Sequence, residues 1–91
     1  MSYAVEMTPD AESDFARLSG MLASHVLDQL DRLAEDPVGL SRPPAFPHPL
    51  YQKYQFSWPP EAPPEAYVTI LFQYSQDETT LQILGIGVVY P

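Results

Sequence analysis

The positions of the prolines restrict where this 91-residue chain can form helices and strands. Proline lacks a backbone N–H and disrupts both helix interiors and sheet ladders. Two stretches hold most of the prolines and must therefore be connections between elements: Pro43, Pro44, Pro47 and Pro49 in the first, and Pro59, Pro60, Pro63 and Pro64 in the second. The second stretch repeats Pro-Pro-Glu-Ala, which predicts a stiff hairpin loop.

The first residues predict a strand followed by a helix. Residues 3–7 alternate in polarity, which is typical of a half-buried strand. Thr8 is a suitable N-cap and Pro9 a suitable first helical residue. The acids that follow place negative charge near the helix N-terminus; they are Asp10, Glu12 and Asp14.

A second apolar stripe continues the helical region. It repeats with the helical period over residues 22–34 and stops at Asp36-Pro37. Gly20 either separates two helices or bends a single one. The N-terminal region therefore predicts a pair of amphipathic helices that must cover an apolar surface elsewhere in the chain.

The C-terminal half supplies that surface as three strands. Residues 51–58, 67–74 and 80–89 alternate or are rich in β-branched side chains, and residues 75–79 predict the last turn. The glycines of Gly85-Ile86-Gly87 indicate a bulge or a close backbone approach. The order β-α-α-β-β-β predicts an α+β fold, a mostly antiparallel sheet covered on one face by the N-terminal helix pair.

Charge and composition exclude several functions. Twelve acids against four bases give a net charge of −8, so a nonspecific phosphate-binding or anionic-membrane surface is not expected. The chain has no cysteine, and its two histidines, His25 and His48, are scattered; we predict no metal and no cofactor. No signal peptide or membrane span is recognisable, so we expect one cytoplasmic domain over residues 1–91.

Three segments carry a resemblance to a known family. They are YAVEMTPDAESDF, LDQLDRLAEDP and ILFQYSQDETTLQILGIG, and they occur in this order over most of the chain. In these segments the chain resembles the RelE/ParE superfamily of bacterial toxins from type II toxin-antitoxin modules. The resemblance implies a RelE/ParE-like fold, in agreement with the pattern of helices and strands.

The chain departs from that family where its RNA-cleaving members carry basic residues. The positions of two signature arginines and a histidine hold Tyr67-Val68 and the run Ile86-Gly87-Val88-Val89. Such bases stabilise charge on the scissile phosphate, and a tyrosine or lysine assists proton transfer. The remaining candidates for a reduced catalytic site are Lys53, Tyr51 and Tyr90.

The resemblance also implies a protein partner. In the family, an antitoxin lays an extended or helical segment over the helices and sheet of the toxin, and the candidate contacts here are Leu22, Val26 and Trp58. Because this chain is acidic, we expect a neutral or basic antitoxin tail, and we do not expect RNA or the ribosome as a partner. An unpaired edge strand could also pair with a second copy.

Three functions remain open at this point. The missing bases favour a toxin component that acts by binding protein and lacks RNase activity. The chain could instead be an active toxin, either a ribosome-dependent mRNA endonuclease or an inhibitor of DNA gyrase. It could also be a non-toxic structural or interaction homologue.

Overall fold

The computed structural model describes residues 2–42, 51–61 and 63–91. The first proline-rich connection lies outside the described residues. The element order predicted from the sequence is confirmed, with one short additional helix. The elements are β1 (Ala4–Met7), α1 (Pro9–Ala16), α2 (Gly20–Glu35), α3 (Pro37–Leu40), β2 (Gln52–Trp58), β3 (Ala66–Tyr74) and β4 (Thr80–Val89).

The four strands form one sheet in the order β1-β4-β3-β2. β2 and β3 are antiparallel, as are β3 and β4, whereas β1 lies parallel to β4. The sheet is thus mixed, with two antiparallel pairs and one parallel pair. The helices α1 and α2 lie between β1 and the rest of the sheet in the chain, which gives the parallel neighbour its crossover connection.

Side-chain caps fix where the two main helices begin. The Thr8 hydroxyl oxygen accepts a hydrogen bond from the Ala11 N–H at 3.3 Å, as the sequence predicts. Ser19 does the same for the Leu22 N–H at 3.4 Å, so Gly20 is the first residue of a separate helix and not a bend within one. Two helices rather than one therefore cover the sheet.

The Asp36-Pro37 pair ends α2 and also starts α3. Asp36 Oδ1 accepts the Gly39 N–H at 3.0 Å, and Pro37 supplies the fixed φ of a first helical residue. The sequence pattern predicts only the end of a helix at this pair. A cap that satisfies the following turn explains the additional helix.

The core lies between α2 and the inner face of the sheet. Its largest fully buried side chains are Phe72, Leu22, Leu33, Ile70, Leu81, Ile83, Val26 and Val68. One polar pair is buried with them: the Tyr54 hydroxyl donates a hydrogen bond to Gln29 Oε1. Burial raises the pKa of Tyr54, and the nearby Arg32 partly opposes this effect.

A bulge in β4 keeps apolar residues on the core side along the whole strand. Leu71 pairs with Gly85 and Phe72 pairs with Ile83, so Leu84 is one extra residue. The strand period changes there from odd to even positions, and Ile86 is buried just as Ile83 is. For Gly85-Ile86-Gly87 the sequence predicts a bulge or a close backbone approach, and the structure has a bulge at Leu84, directly before this segment.

The two hairpin connections lie where the sequence places them. The Glu65 N–H donates to the Trp58 carbonyl at 2.8 Å and closes the proline-rich loop between β2 and β3. Between β3 and β4, Asp77 Oδ1 accepts hydrogen bonds from the Ser75 hydroxyl at 2.7 Å and the Thr79 hydroxyl at 2.8 Å. These bonds lower the pKa of the Asp77 carboxyl. No helix in the described ranges is long and apolar enough to cross a membrane.

Replacing Tyr54 by phenylalanine should destabilise the fold, because the buried Gln29 amide then loses its partner. We expect a loss of about 1–3 kcal/mol in the free energy of unfolding, measured by urea denaturation. Tyr54→Phe combined with Gln29→Leu should recover part of that loss, since neither polar group is then left unpaired. Equal stability of Tyr54→Phe and the unaltered protein would contradict this account.

Asp77 should make the stability of the last hairpin depend on pH. Its carboxyl has a lowered pKa in the folded protein, so the stabilisation is present above the ordinary value of 3.8 and is lost as the pH falls through the folded value. The melting temperature of Asp77→Ala should therefore lie below that of the unaltered protein at neutral pH. As the pH falls below 3.8 toward about 2, the two melting temperatures should approach each other, because the carboxyl is progressively protonated and loses its advantage as a charged acceptor. A gap that stays constant between these pH values would be inconsistent with the charged acceptor.

Candidate functional site

The face of the sheet opposite the helices carries a broad groove of about 560 Å³. We call this side the open face. Three strands contribute to it through alternate residues, and α1 contributes one side chain from the edge. The groove is lined by Asp14, Lys53, Gln55, Thr69, Leu71, Gly85, Ile86 and Gly87.

The floor of the groove is formed by backbone because two of its strand positions are glycines. Gly85 and Gly87 pair with Leu71 and Thr69 across β3 and β4. A side chain at Gly87 would meet no atom within 4 Å. The neighbouring wall is polar but uncharged, since Gln55 Nε2 donates to Thr69 Oγ1 at 3.1 Å. The floor therefore lets a ligand or a polypeptide approach the β4 backbone closely.

The positive charge of the open face comes from two paired backbone positions. Arg42 and Lys53 exchange both backbone hydrogen bonds, at 2.8 and 2.9 Å, so their side chains leave the same face. The Arg42 guanidinium is turned back on its own chain, where it donates to the Ser41 carbonyl at 2.8 Å and the Gly39 carbonyl at 3.4 Å. Lys53 is thus the base that lines the groove.

Asp14 brings a carboxylate into the same groove. Its Oδ2 atom accepts the Ile86 N–H at 3.0 Å, just past the bulge of β4. The Thr8 N–H donates to the Ile83 carbonyl at 3.0 Å and the Thr8 hydroxyl to the Leu84 carbonyl at 3.4 Å. The start of α1 therefore covers the β4 edge where β1 ends. Sequence reasoning assigned Asp14 only to the charge at the helix N-terminus, because its partner lies 72 residues away.

A second, smaller groove of about 240 Å³ continues along that edge. We call it the edge groove. It shares Asp14 and Ile86 with the open-face groove and lies beside the end of α1. Its lining is completed by Arg17, Leu18, Val88 and Tyr90.

The three residues considered for catalysis are divided between these surfaces. Tyr51 and Lys53 are two positions apart at the start of β2 and share the open face. Tyr90 lines the edge groove instead, with the parity of Ile86 and Val88, which belong to the core side. Their catalytic roles remain predictions. Within the described ranges, no three His, Asp or Glu side chains cluster closely enough to hold a metal ion.

The residues considered for partner contact require a correction. Leu22 and Val26 are 1% and 0% exposed, so they pack in the core and present no surface to a partner of the folded chain. Apolar residues repeat with the helical period both where a helix packs on its own core and where it binds a partner. Here the repeat corresponds to the core. Exposed apolar side chains on α2 are Met21 and Leu27. Trp58 is half-buried and packs against the core.

Comparison with known proteins identifies the fold but not the family. No family model matches the chain, and no curated protein matches it. Solved structures do match over almost the whole length. The toxin-antitoxin complex RelBE2 from Mycobacterium tuberculosis gives a TM-score of 0.74 at 17% identity, covering 94% of this chain and 96% of that one.

Two further complexes agree. The intact E. coli RelBE toxin-antitoxin complex gives a TM-score of 0.68 at 11% identity, covering 99% of this chain and 100% of that one. The archaeal RelE-RelB complex from Pyrococcus horikoshii gives a TM-score of 0.60 at 13% identity. The match covers 94% of this chain and 93% of that one. The fold is RelE-like. The fold class expected from the sequence is confirmed.

Asp14→Ala should destabilise this RelE-like fold by about 1–3 kcal/mol in urea denaturation, because the Ile86 N–H loses its acceptor beside the bulge. Amide exchange at Ile86 should accelerate at the same time. The matched control is Asp10→Ala, an exposed acid on the same helix, with an expected change of less than about 0.5 kcal/mol. Equal effects of the two substitutions would show that Asp14 contributes only helix charge.

Proposed function

We propose that this protein is the toxin component of a toxin-antitoxin module, that it acts by binding protein, and that it does not cleave RNA. The RelE-like fold and the antitoxin complexes among the similar structures support the first part. The charge content of the open-face groove supports the last part, and it is the observation that carries the proposal.

RNA cleavage by attack of a ribose hydroxyl develops negative charge on the scissile phosphate. Preorganised donors stabilise that charge, and the loss of one typically costs about 100- to 1,000-fold in rate. Among the described residues that line it, the open-face groove offers one ammonium group, from Lys53, and one carboxylate, from Asp14. The carboxylate offsets the ammonium, so the described lining of the groove carries no excess positive charge for a phosphate.

The second base beside the groove does not change this balance in the observed conformation. The Arg42 guanidinium donates hydrogen bonds to the backbone carbonyls of Gly39 and Ser41, in its own segment of the chain. The whole chain carries −8, which opposes approach to the phosphates of a ribosome. The charge around the groove and the net charge of the chain therefore both disfavour RNA cleavage.

Binding to protein needs none of these charges, and the surface offers apolar side chains for it. Contiguous exposed apolar side chains often mark contact sites, and Tyr67 and Val89 are such neighbours because they pair across β3 and β4. The large exposed apolar residues among those described are Met21, Leu27, Val38, Tyr67, Val89 and Tyr90. We infer that an antitoxin covers part of this set, and that toxicity arises when the set is free to bind a cellular protein.

Inducible expression in a bacterium tests this proposal through growth and RNA profiling. We expect growth arrest without new mRNA 5′ ends, and relief of the arrest when the neighbouring open reading frame is co-expressed. Lys53→Ala should be as toxic as the unaltered protein. Arg32→Ala is the matched control, since it removes the same charge from α2. Cleavage of mRNA that disappears with Lys53→Ala would refute the proposal.

A further inference from the structure

The edge of β4 is covered along only part of its length. β1 pairs with β4 from Thr80 to Ile83 and then ends. Thr8 and Asp14 satisfy the edge groups at the bulge, from Ile83 to Ile86. Within the described part of the chain, no strand pairs with the outward side of β4 beyond that point. Beyond the Ile86 N–H, which Asp14 accepts, residues 87–90 therefore have no pairing strand on their outward side in the described structure.

The direction of the backbone groups along this edge follows from the Asp14 contact. The Ile86 N–H points away from β3, toward α1. Alternate residues of a strand direct their N–H and C=O groups to the same side, so the Val88 groups also point outward, and Gly87 and Val89 face β3. Because the Ile86 N–H is bonded to Asp14, the short row that remains for an added strand consists of the Ile86 carbonyl and the N–H and carbonyl of Val88.

Exposed apolar side chains flank the same row on both faces of the sheet. Val89 is 65% exposed on the open face, beside its partner Tyr67. Tyr90 is 66% exposed and lines the edge groove with Leu18 and Val88. Side chains on both faces would contact the alternating side chains of a strand laid along the edge.

Arg17 specifies one chemical property of the occupant. It lines the edge groove at the end of α1. Among the described residues, its guanidinium makes no hydrogen bond or ion pair. Asp14 also lines this groove, but among the described residues it forms no ion pair with Arg17, so a carboxylate on the occupant can pair with the Arg17 guanidinium.

We propose that the β4 edge from Ile86 to Tyr90 binds an extended segment of a partner protein by strand addition. The segment has alternating apolar side chains and one carboxylate that reaches Arg17. A second copy of this chain is the weaker occupant, because each copy carries −8 and the two would repel. The inference rests on the proposed function only in that the occupant is a protein.

The test uses the full chain, labelled with ¹⁵N, and a synthetic peptide. The probe is the acetylated and amidated hexapeptide Thr-Val-Glu-Val-Thr-Val at millimolar concentration. Its first control is the same peptide methylated on alternate backbone nitrogens, which keeps the side chains and removes the pairing donors. The second control replaces the glutamate by lysine. Amide chemical shifts are followed by NMR titration.

The expected result is a saturable shift confined to residues 86–90 and Arg17. Backbone methylation should weaken binding at least about ten-fold, since two pairing bonds are lost. The lysine peptide should bind more weakly than the glutamate peptide. Arg17→Gln removes the positive charge of the guanidinium, so the glutamate and lysine peptides should bind this variant equally well.

A variant of the protein tests the same edge from the other side. Val88→Pro removes an outward N–H without removing a rung of the β3–β4 ladder, and Val88→Thr is the matched control that keeps the donor. Binding should fall about ten-fold in Val88→Pro only. The methylated peptide gives the same information if Val88→Pro does not fold.

Shifts elsewhere on the protein, or equal binding of the methylated peptide, would overturn the inference. A dimer of the chain at the NMR concentration, with β4 shifts in the absence of peptide, would also overturn it in favour of the second copy. The proposed function is tested separately by growth and RNA profiling. A toxin that responds to its neighbouring gene product and yet shows no peptide binding at β4 would refute this inference alone.

Discussion

The hydrogen bond from the Ile86 N–H to Asp14 joins the parts of this molecule that matter for its surface. It lies beside the single extra residue of β4, Leu84. With that residue, Leu81 and Ile83 before the bulge and Ile86 after it all face the core. Without it, the second half of the strand would turn its apolar side chains to the open face, since one residue of shift reverses every side chain. The carboxylate of α1 satisfies the backbone group exposed by this irregularity and holds the helix against the strand.

The same arrangement determines what the open face can do. After the bulge, Gly85 and Gly87 lie on that face and give the groove a floor of bare backbone. Asp14 reaches the groove from the edge and adds a carboxylate to a described lining that holds one ammonium group, from Lys53. The RelE-like fold therefore carries a groove in whose described lining the charges of Lys53 and Asp14 offset each other. A fold supports many functions, and it is the chemistry of this groove that argues for binding rather than cleavage.

The sequence contains local information about this fold and little about its long-range contacts. Period-two alternation placed β2 and β3 to within a residue, a high content of Leu, Ile and Val placed β4, and Thr8-Pro9 located the start of α1. α3 was missed because Asp36-Pro37 was considered only as a helix stop. The parallel pairing of β1 with β4 and the contact of Asp14 with Ile86 join residues more than 70 positions apart. No local pattern specifies such pairs. Leu22 and Val26 illustrate a related limit, because helical periodicity marks a buried stripe and a docking stripe in the same way.

We have proposed that this RelE-like chain lacks the charge needed to cleave RNA. Single-turnover incubation of the purified protein with ribosomes carrying a defined transcript tests it most directly, with an RNase of known activity as positive control. The account predicts that the transcript stays intact at every protein concentration, within the background of a protein-free sample. Cleavage at a defined position, with a rate that rises with the concentration of the protein, would contradict it.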